Sequence, residues 1–592
     1  MLKAKNLVSK LRYYIINGVV IFLMLILLSR FFYLQIFRYE KYIQKAEINR
    51  IRAVTINAPR GLILDRNGKI LVDNYPTYIL TAIPGEMEQK EKIFNTISQC
   101  TGIDSAIIAE NFRKYYRAKF VPTRLIKDLT FQQISILEEN KLDLPGVNYK
   151  QFPERYYPSR INGSHFLGYL KEVDKPILEK LRDPNVYELG DLIGWSGLEK
   201  FYESQLRGKR GVKYLEVDAL GREMEEVKGY KNRRSEPGAD LKLMIDADLQ
   251  FLMEDQMKDY RGIAVISNPM TGEILAYVSK PDYPPNIFTG KMLKDDWNEV
   301  RNDPHRPLMD RVITGLYPPG STFKIITVLS LLEENLLDPS NEVECSGSYQ
   351  FGDRIFRCWN ETGHGSVNLQ VGVAQSCNIY FYKMVQRLSL VQWADICFDF
   401  GFGQKTGINL PYEKTGIIPT EKYMNRKYGK WGWSRGNLLN LALGQGDVLV
   451  TPIQMVQFIN QIATHGNAGE LHFVKNDNTK KENQPQLSDN TWNKIEKYLL
   501  ATVSDDRGTG RAADPKIKGL RIGGKTGTAE NPHGDPHAWF IGFGQKENKI
   551  VTTVILIENG GHGGEIAAPI ARRAYSQYFL PKTQSQMVFK TP

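Results

Sequence analysis

Ser321 and Lys324 stand three residues apart in the stretch Tyr317-Pro318-Pro319-Gly320-Ser321-Thr322-Phe323-Lys324. The two prolines and the glycine set a turn, and Ser321 falls where a helix begins. The residues that follow, Ile325 to Leu332, are apolar almost all round, which predicts a buried helix. Residues three apart share one face of its first turn. A lysine held in apolar surroundings loses proton affinity and can serve as a base, and a serine beside it can serve as a nucleophile. Alone, Ser-x-x-Lys reads equally as a helix cap followed by a stray lysine.

Two stretches downstream complete the chemistry. Ser376-Cys377-Asn378 lies between helical segments, and Gly523-Gly524-Lys525-Thr526-Gly527-Thr528-Ala529 lies where a strand turns through glycines. Each by itself is an ordinary turn. In this order the three are the set shared by serine β-lactamases and penicillin-binding proteins. Acyl transfer needs a serine at a helix start, where the dipole favours developing negative charge, and a base in reach, which Lys324 supplies. Ser376 with Lys525 can relay a proton to the leaving group, and Asn378 can hold Lys324 and a substrate amide together. The edge 525–528 can pair with an extended peptide. The N–H groups of Ser321 and Thr528 can form an oxyanion hole. Lys525 and Thr526, with Gly527 and Thr528 beside them, can bind a substrate carboxylate.

The elements that must position these groups belong to a long globular chain. It has 592 residues, 42% of them hydrophobic and 24% charged, with a formal charge of +11, enough for two to four domains. Diffuse positive charge suits an anionic polymer or lipid surface. No run of Lys and Arg with interleaved aromatics speaks for nucleic acid. Residues 1–13 carry Lys3, Lys5, Lys10 and Arg12 and no acid, and an apolar run follows from Tyr14. That reads as an uncleaved single anchor, with the basic flank in the cytoplasm and everything after about residue 38 outside. Strands flank the Asn67-Gly68 turn. Helical spacing marks Lys90–Cys100, Ser105–Tyr116 and Thr130–Asn140 as a helical insertion, and Leu198–Leu206 as one helix. Strands at 241–246, 262–267 and 273–278, and again at 519–523, 538–542 and 550–558, enclose a mostly helical middle. An antiparallel sheet built from both ends of the domain follows.

The chain resembles class B penicillin-binding proteins, closest to the penicillin-binding protein 2 branch that cross-links peptidoglycan in cell elongation. The likeness runs from the anchor to the last helix. Besides the three motifs it rests on Arg60-Gly61-Leu62-Ile63-Leu64-Asp65-Arg66-Asn67-Gly68, Arg155-Tyr156-Tyr157-Pro158, Gly197-Leu198-Glu199-Lys200 and His537-Ala538-Trp539-Phe540-Ile541-Gly542. Ile325, where many relatives carry proline, and Asn268, where aspartate is common, depart from the pattern away from the reacting groups.

The resemblance implies an α+β chain: a cytoplasmic tail (1–13), a transmembrane anchor (14–36), an elongated α/β pedestal (37–240) with a helical head at about 80–150, a penicilloyl-serine transferase domain (241–582) with helices on both sides of its sheet, and a tail (583–592). It implies D,D-transpeptidation of stem peptides on lipid-linked precursor strands, with Ser321, Lys324, Ser376, Asn378 and Lys525 catalytic and Thr526, Gly527 and Thr528 binding substrate. It also implies β-lactams as inhibitors, a shape-and-division type membrane glycosyltransferase and a rod complex as partners, and a single-pass place in the inner membrane with the catalytic domain outside the cytoplasm, in the periplasm. No cofactor is needed for acyl transfer. A D,D-carboxypeptidase, or a scaffold activating a glycosyltransferase, uses the same residues or the same pedestal.

Five cysteines remain. Cys345, Cys358 and Cys377 with His364 offer the ligand types of a tetrahedral structural zinc; a Cys345–Cys358 disulfide is the alternative in an oxidising compartment. Cys100 and Cys397 read as buried apolar residues, and His533 as a loop residue.

Overall fold

The computed structural model describes residues 5–43, 51–181, 186–217, 223–227, 229–289, 294–475, 484–532 and 534–580. Residues 1–4 of the expected cytoplasmic tail, the expected tail 583–592 and His533 lie outside them. Lys5–Phe32 is a single helix, and the 28-residue segment Lys10–Phe37 is long and apolar enough to cross a membrane. At 1.5 Å per residue such a segment spans about 40 Å, beyond the ~30 Å of a hydrocarbon core.

The chain divides into two compact units, residues 1–59, 77–152 and 208–237 in one, and 60–76, 153–207 and 238–592 in the other. In the first, Ile51–Ile56, Gly211–Val217 and Glu223–Glu226 form a three-stranded sheet. The three expected helices are present as Lys90–Thr101, Ser105–Tyr115 and Phe131–Glu139. Asp104 caps the second, and a Thr130–Gln133 capping box closes the third. Their apolar faces meet in one core around Ile97, Ile108, Leu125 and Leu137.

The second unit holds a five-stranded sheet. Its order is Ile274–Lys280, Gly262–Ser267, Lys549–Ile557, His537–Lys546 and Arg521–Ala529, with every pair antiparallel. Both ends of the domain contribute strands, as the alternation of the sequence predicts. Ala247–Gln256 and Ala567–Phe579 pack on one face with Ile266, Ala276 and Ile555, while the larger core around Phe323, Trp393 and Phe458 fills the other. Arg521–Ala529 is the last strand, so one edge of it is unpaired by sheet.

Three motifs far apart in sequence meet at a buried carboxylate in this unit. Arg60 Nε lies 2.7 Å and Arg155 Nε 2.6 Å from the two Glu199 oxygens. Burial alone would push the Glu199 carboxyl up; the two guanidiniums outweigh it and hold it below the usual range.

Four local readings change. The strand expected at 241–246 is only Leu241–Lys242, and it pairs parallel with Ile63–Leu64 instead of joining the five-stranded sheet. Leu198–Leu206 is two short helices, Gly197–Phe201 and Glu203–Leu206, joined at Tyr202. The middle segment is not wholly helical: Val343–Cys345 pairs with Gly365–Val367, and Ser348–Phe351 with Arg354–Arg357. Strands of three or four residues are too short for periodicity to reveal. The glycines before Lys525 do not turn the strand. A Cβ on Gly523 would stand 2.5 Å from the Phe543 ring, and one on Gly524 2.7 Å from the Ile541 carbonyl oxygen. They let this strand pack closely on its neighbour.

Candidate active site

The Tyr317–Gly320 turn is held from three sides. Tyr317 and Val450 exchange backbone hydrogen bonds at 3.0 and 2.9 Å, Gly320 N–H donates to the Gly444 carbonyl (2.9 Å), and Trp539 Nε1 donates to the Pro318 carbonyl (3.1 Å). Gly320 has φ +58°, a conformation that costs little only for glycine. The chain then passes through a 3₁₀ turn, Gly320–Phe323, into the buried helix Lys324–Glu333. Ser321 sits in that turn, half-buried, and lines a cleft of about 790 Å³.

Lys324 is 1% exposed. Its Nζ donates to the Ser376 carbonyl (2.7 Å), to Asn378 Oδ1 (2.7 Å) and to Ser376 Oγ (3.1 Å). Desolvation pulls its pKa down to about 8, with the nearby Cys377 and Cys358 opposing. The contact at 3.1 Å joins two groups able to exchange roles: a neutral amine can accept from the Ser376 hydroxyl. Ser376 has φ +58°, uncommon for a residue with a side chain. This bend separates the helix Leu369–Ala374 from Asn378–Val385 and turns Ser376 and Asn378 toward one amine.

Lys525, Thr526, Gly527 and Thr528 lie on the edge strand. Lys525 is fully buried, and Nζ donates to the Thr526 carbonyl (3.1 Å). Burial first, then the charge of Lys324, drive its pKa well below the ordinary lysine value. Thr526 and Thr528 line the cleft with Ser321, Ser376 and Asn378. A Cβ on Gly527 would approach Thr322 and Trp539 at 3.0 Å, so this glycine lets the strand lie against the serine turn.

Behind Ser376, the ligand atoms of Cys345, Cys358, His364 and Cys377 all lie within 4.8 Å of one another. His364 Nδ1 is 3.5 Å from the sulfurs of both Cys345 and Cys358. The five cysteines are unbridged. Cys358 and Cys377 share a hydrogen bond that favours the Cys358 thiolate, holding Cys358 down and pushing Cys377 up.

Residues 262–576 match the penicillin binding protein transpeptidase domain, and residues 55–243 match the penicillin-binding protein dimerisation domain. The chain is 31% identical to the peptidoglycan D,D-transpeptidase MrdA of Acinetobacter baumannii, over 96% of this chain and 87% of that one. The chain belongs to the class B penicillin-binding proteins. A solved complex of penicillin-binding protein PBP2 with MreC from Helicobacter pylori is similar in fold, with a TM-score of 0.80 at 26% identity, covering 90% of this chain and all of that one. A peptidoglycan synthase complex, described as coordinating polymerization and crosslinking, contains a similar chain at TM-score 0.71 and 29% identity, covering 96% of this chain and 99% of that one.

In this penicillin-binding protein the three motif stretches come together, and so do the four cysteine and histidine ligand atoms. Other cleft residues escaped sequence reasoning. Thr509 meets Thr526 hydroxyl to hydroxyl at 2.7 Å, and Gln445 Nε2 donates to the Thr528 carbonyl at 3.4 Å. Arg354, Arg357 and Tyr382 line the cleft from the hairpin and the helix after Asn378. None of these carries a motif. Only the strand register and loop packing bring them in.

Proposed function

We propose that this chain is a serine-type peptidoglycan D,D-transpeptidase of cell-wall elongation, acting through an acyl-enzyme on Ser321. The observation that carries the reading is Lys324: a buried amine with pKa lowered to about 8, at the start of the helix that follows the Ser321 turn, held by Ser376 and Asn378. A base of that pKa is neutral in useful proportion near neutral pH.

The stem peptide binds as an added strand along the edge 525–528, with its terminal carboxylate at Lys525 and Thr526. That negative charge would restore the proton affinity that Lys525 loses to burial. Ser321 Oγ attacks the carbonyl of the D-Ala–D-Ala bond as Lys324 takes the hydroxyl proton. The carbonyl oxygen becomes an oxyanion facing the N–H groups of Ser321 and Thr528, an arrangement worth about 3 kcal/mol per donor in comparable sites. Collapse breaks the C–N bond, and the proton passes from Lys324 through Ser376 to the departing D-alanine. An amine from a second stem peptide then attacks the ester, gives up its proton along the same route, and frees Ser321. Purified chain supplied with lipid-linked strands and a polymerase tests this: cross-linked muropeptides are expected, and release of D-alanine without cross-links would instead mark a carboxypeptidase.

We place the membrane anchor at residues 14–36, the pedestal at 37–240 and the catalytic domain at 241–582, outside the cytoplasm, with β-lactams acylating Ser321. One similar penicillin-binding protein is solved with MreC, and another similar chain belongs to a synthase complex that joins polymerization to crosslinking; with that support we assign this chain a shape-and-division type glycosyltransferase and a rod complex as partners. Cys345, Cys358, His364 and Cys377 fit a structural zinc. Three sulfurs and one imidazole nitrogen are the donor set such sites use, and His364 Nδ1 lies 3.5 Å from two of the sulfurs, on the side a shared ion would occupy. A zinc there would neutralise the thiolates and pin the Ser376–Asn378 bend. It would take no part in acyl transfer.

A further inference from the structure

The cleft carries charges that acyl transfer leaves unused. One wall is the hairpin of Ser348–Phe351 and Arg354–Arg357, tied to the Ser376–Asn378 bend where Asn378 Nδ2 donates to the Arg357 carbonyl (3.2 Å). Arg354 and Arg357 are exposed on it and line the cleft. A second wall continues the strand Arg521–Ala529 into Glu530, also exposed and lining the cleft. Among the described residues none of the three forms an ion pair. Tyr382 feels both walls: burial raises its phenol, Glu530 raises it further, and Arg354 opposes. A cation and an anion therefore stand within electrostatic reach of one ring, Arg354 lying over the Phe356 ring (5.2 Å) and neither group in an ion pair among the described residues.

The strand register says what meets them, given the acyl-serine reading above. With the terminal carboxylate at Lys525 and Thr526 and the reacting carbonyl at the Thr528 N–H, the peptide runs antiparallel to the strand. It advances about 3.3 Å per residue. The residue preceding the acylated one therefore lies level with Glu530. We propose that Glu530, Arg354 and Arg357 select donor peptides whose residue at that place has a side chain ending in both an ammonium and a carboxylate, as in a diamino dicarboxylic acid. Glu530 takes the ammonium, and the arginines take the carboxylate in fork geometry. A lysine there leaves the arginines without a partner. An amidated head does the same, and so is rejected as a missing hydrogen-bonding group is rejected elsewhere.

The test uses the full-length protein in detergent and synthetic donors ending in X-D-Ala-D-lactate, where X is meso-diaminopimelate, its side-chain amide or lysine. The rate of adduct formation on Ser321 is read by intact mass. The expected result is acylation at least tenfold faster by the free diaminopimelate donor than by the other two. In Arg354→Gln/Arg357→Gln the ratio of free acid to amide falls below threefold. In Glu530→Gln all three donors, which share the ammonium, slow at least threefold relative to penicillin labelling of the same protein, and the ratio of free acid to amide is kept. Each ratio is taken within one protein, so a lower folded fraction cancels. Wild-type rates within twofold for all three donors, an arginine variant that keeps the wild-type ratio, or a Glu530→Gln variant as fast as wild type with all three donors, would overturn the proposal. Wild-type protein that takes a fluorescent penicillin on Ser321 yet shows no donor preference loses this inference alone; failure to take the penicillin removes the acyl-serine reading beneath it.

Discussion

Lys324 Nζ lies 2.7 Å from Asn378 Oδ1, so the amine on one helix is held by the first residue of another. With the Ser376 contacts, this fixes Lys324 by the same bend that supplies the relay hydroxyl. Burial without a carboxylate partner is what lowers its pKa to about 8 from the ordinary 10.5. Acylation of Ser321 by a β-lactam should therefore rise with pH and level off above about 8. A profile still climbing toward 10 would show a lysine with ordinary proton affinity. Asn378→Ala should slow acylation at least tenfold at every pH, because the amine is no longer fixed.

Gly320 is the tightest point of the serine turn. A Cβ there would stand 2.9 Å from the Thr528 carbonyl oxygen, at φ +58°. Gly320→Ala must push the turn from the edge strand and widen the gap between the Ser321 and Thr528 N–H groups. The expected outcome is a stability loss of about 1–2 kcal/mol and a tenfold or larger fall in acylation rate, measured by urea unfolding and penicillin labelling.

Glu199 joins motifs that sequence separates by 44 and 139 residues. Glu199→Gln leaves Arg60 and Arg155 without their shared counter-charge and should cost about 3–5 kcal/mol. Because its folded pKa is lowered, its contribution is complete above the ordinary glutamate range and is lost as pH falls through the lowered value. Wild-type protein should lose stability on acidification more steeply than the Gln variant. Parallel pH dependences in thermal melts would contradict this.

The Cys345, Cys358, His364 and Cys377 cluster should hold about one zinc per chain by elemental analysis. Removal with a strong chelator should lower the melting temperature by several degrees, and Cys345→Ser should do the same without chelator. Absence of stoichiometric zinc in protein purified under reducing conditions would end that assignment.

Much of this site was legible because its motifs are local. A turn, a helix start and a strand edge each announce themselves in a few residues, and the helix expected at Ser105–Tyr116 is present as Ser105–Tyr115. The hairpin carrying Arg354 and Arg357 was not legible, since its strands have four residues each and sit in a helical region. Thr509 was hidden for another reason. It reaches Thr526 through loop packing, and nothing in its own neighbourhood marks it. The Lys525 strand was misread at its glycines because close packing and turning use the same residue.

The most direct measurement is the mass of the full-length protein after treatment with a fluorescent penicillin, with peptide mapping of the adduct. One penicilloyl group per chain on Ser321, absent in Ser321→Ala, is the predicted result. Wild-type protein that stays unmodified, or a Ser321→Ala variant labelled to the same extent, would contradict it.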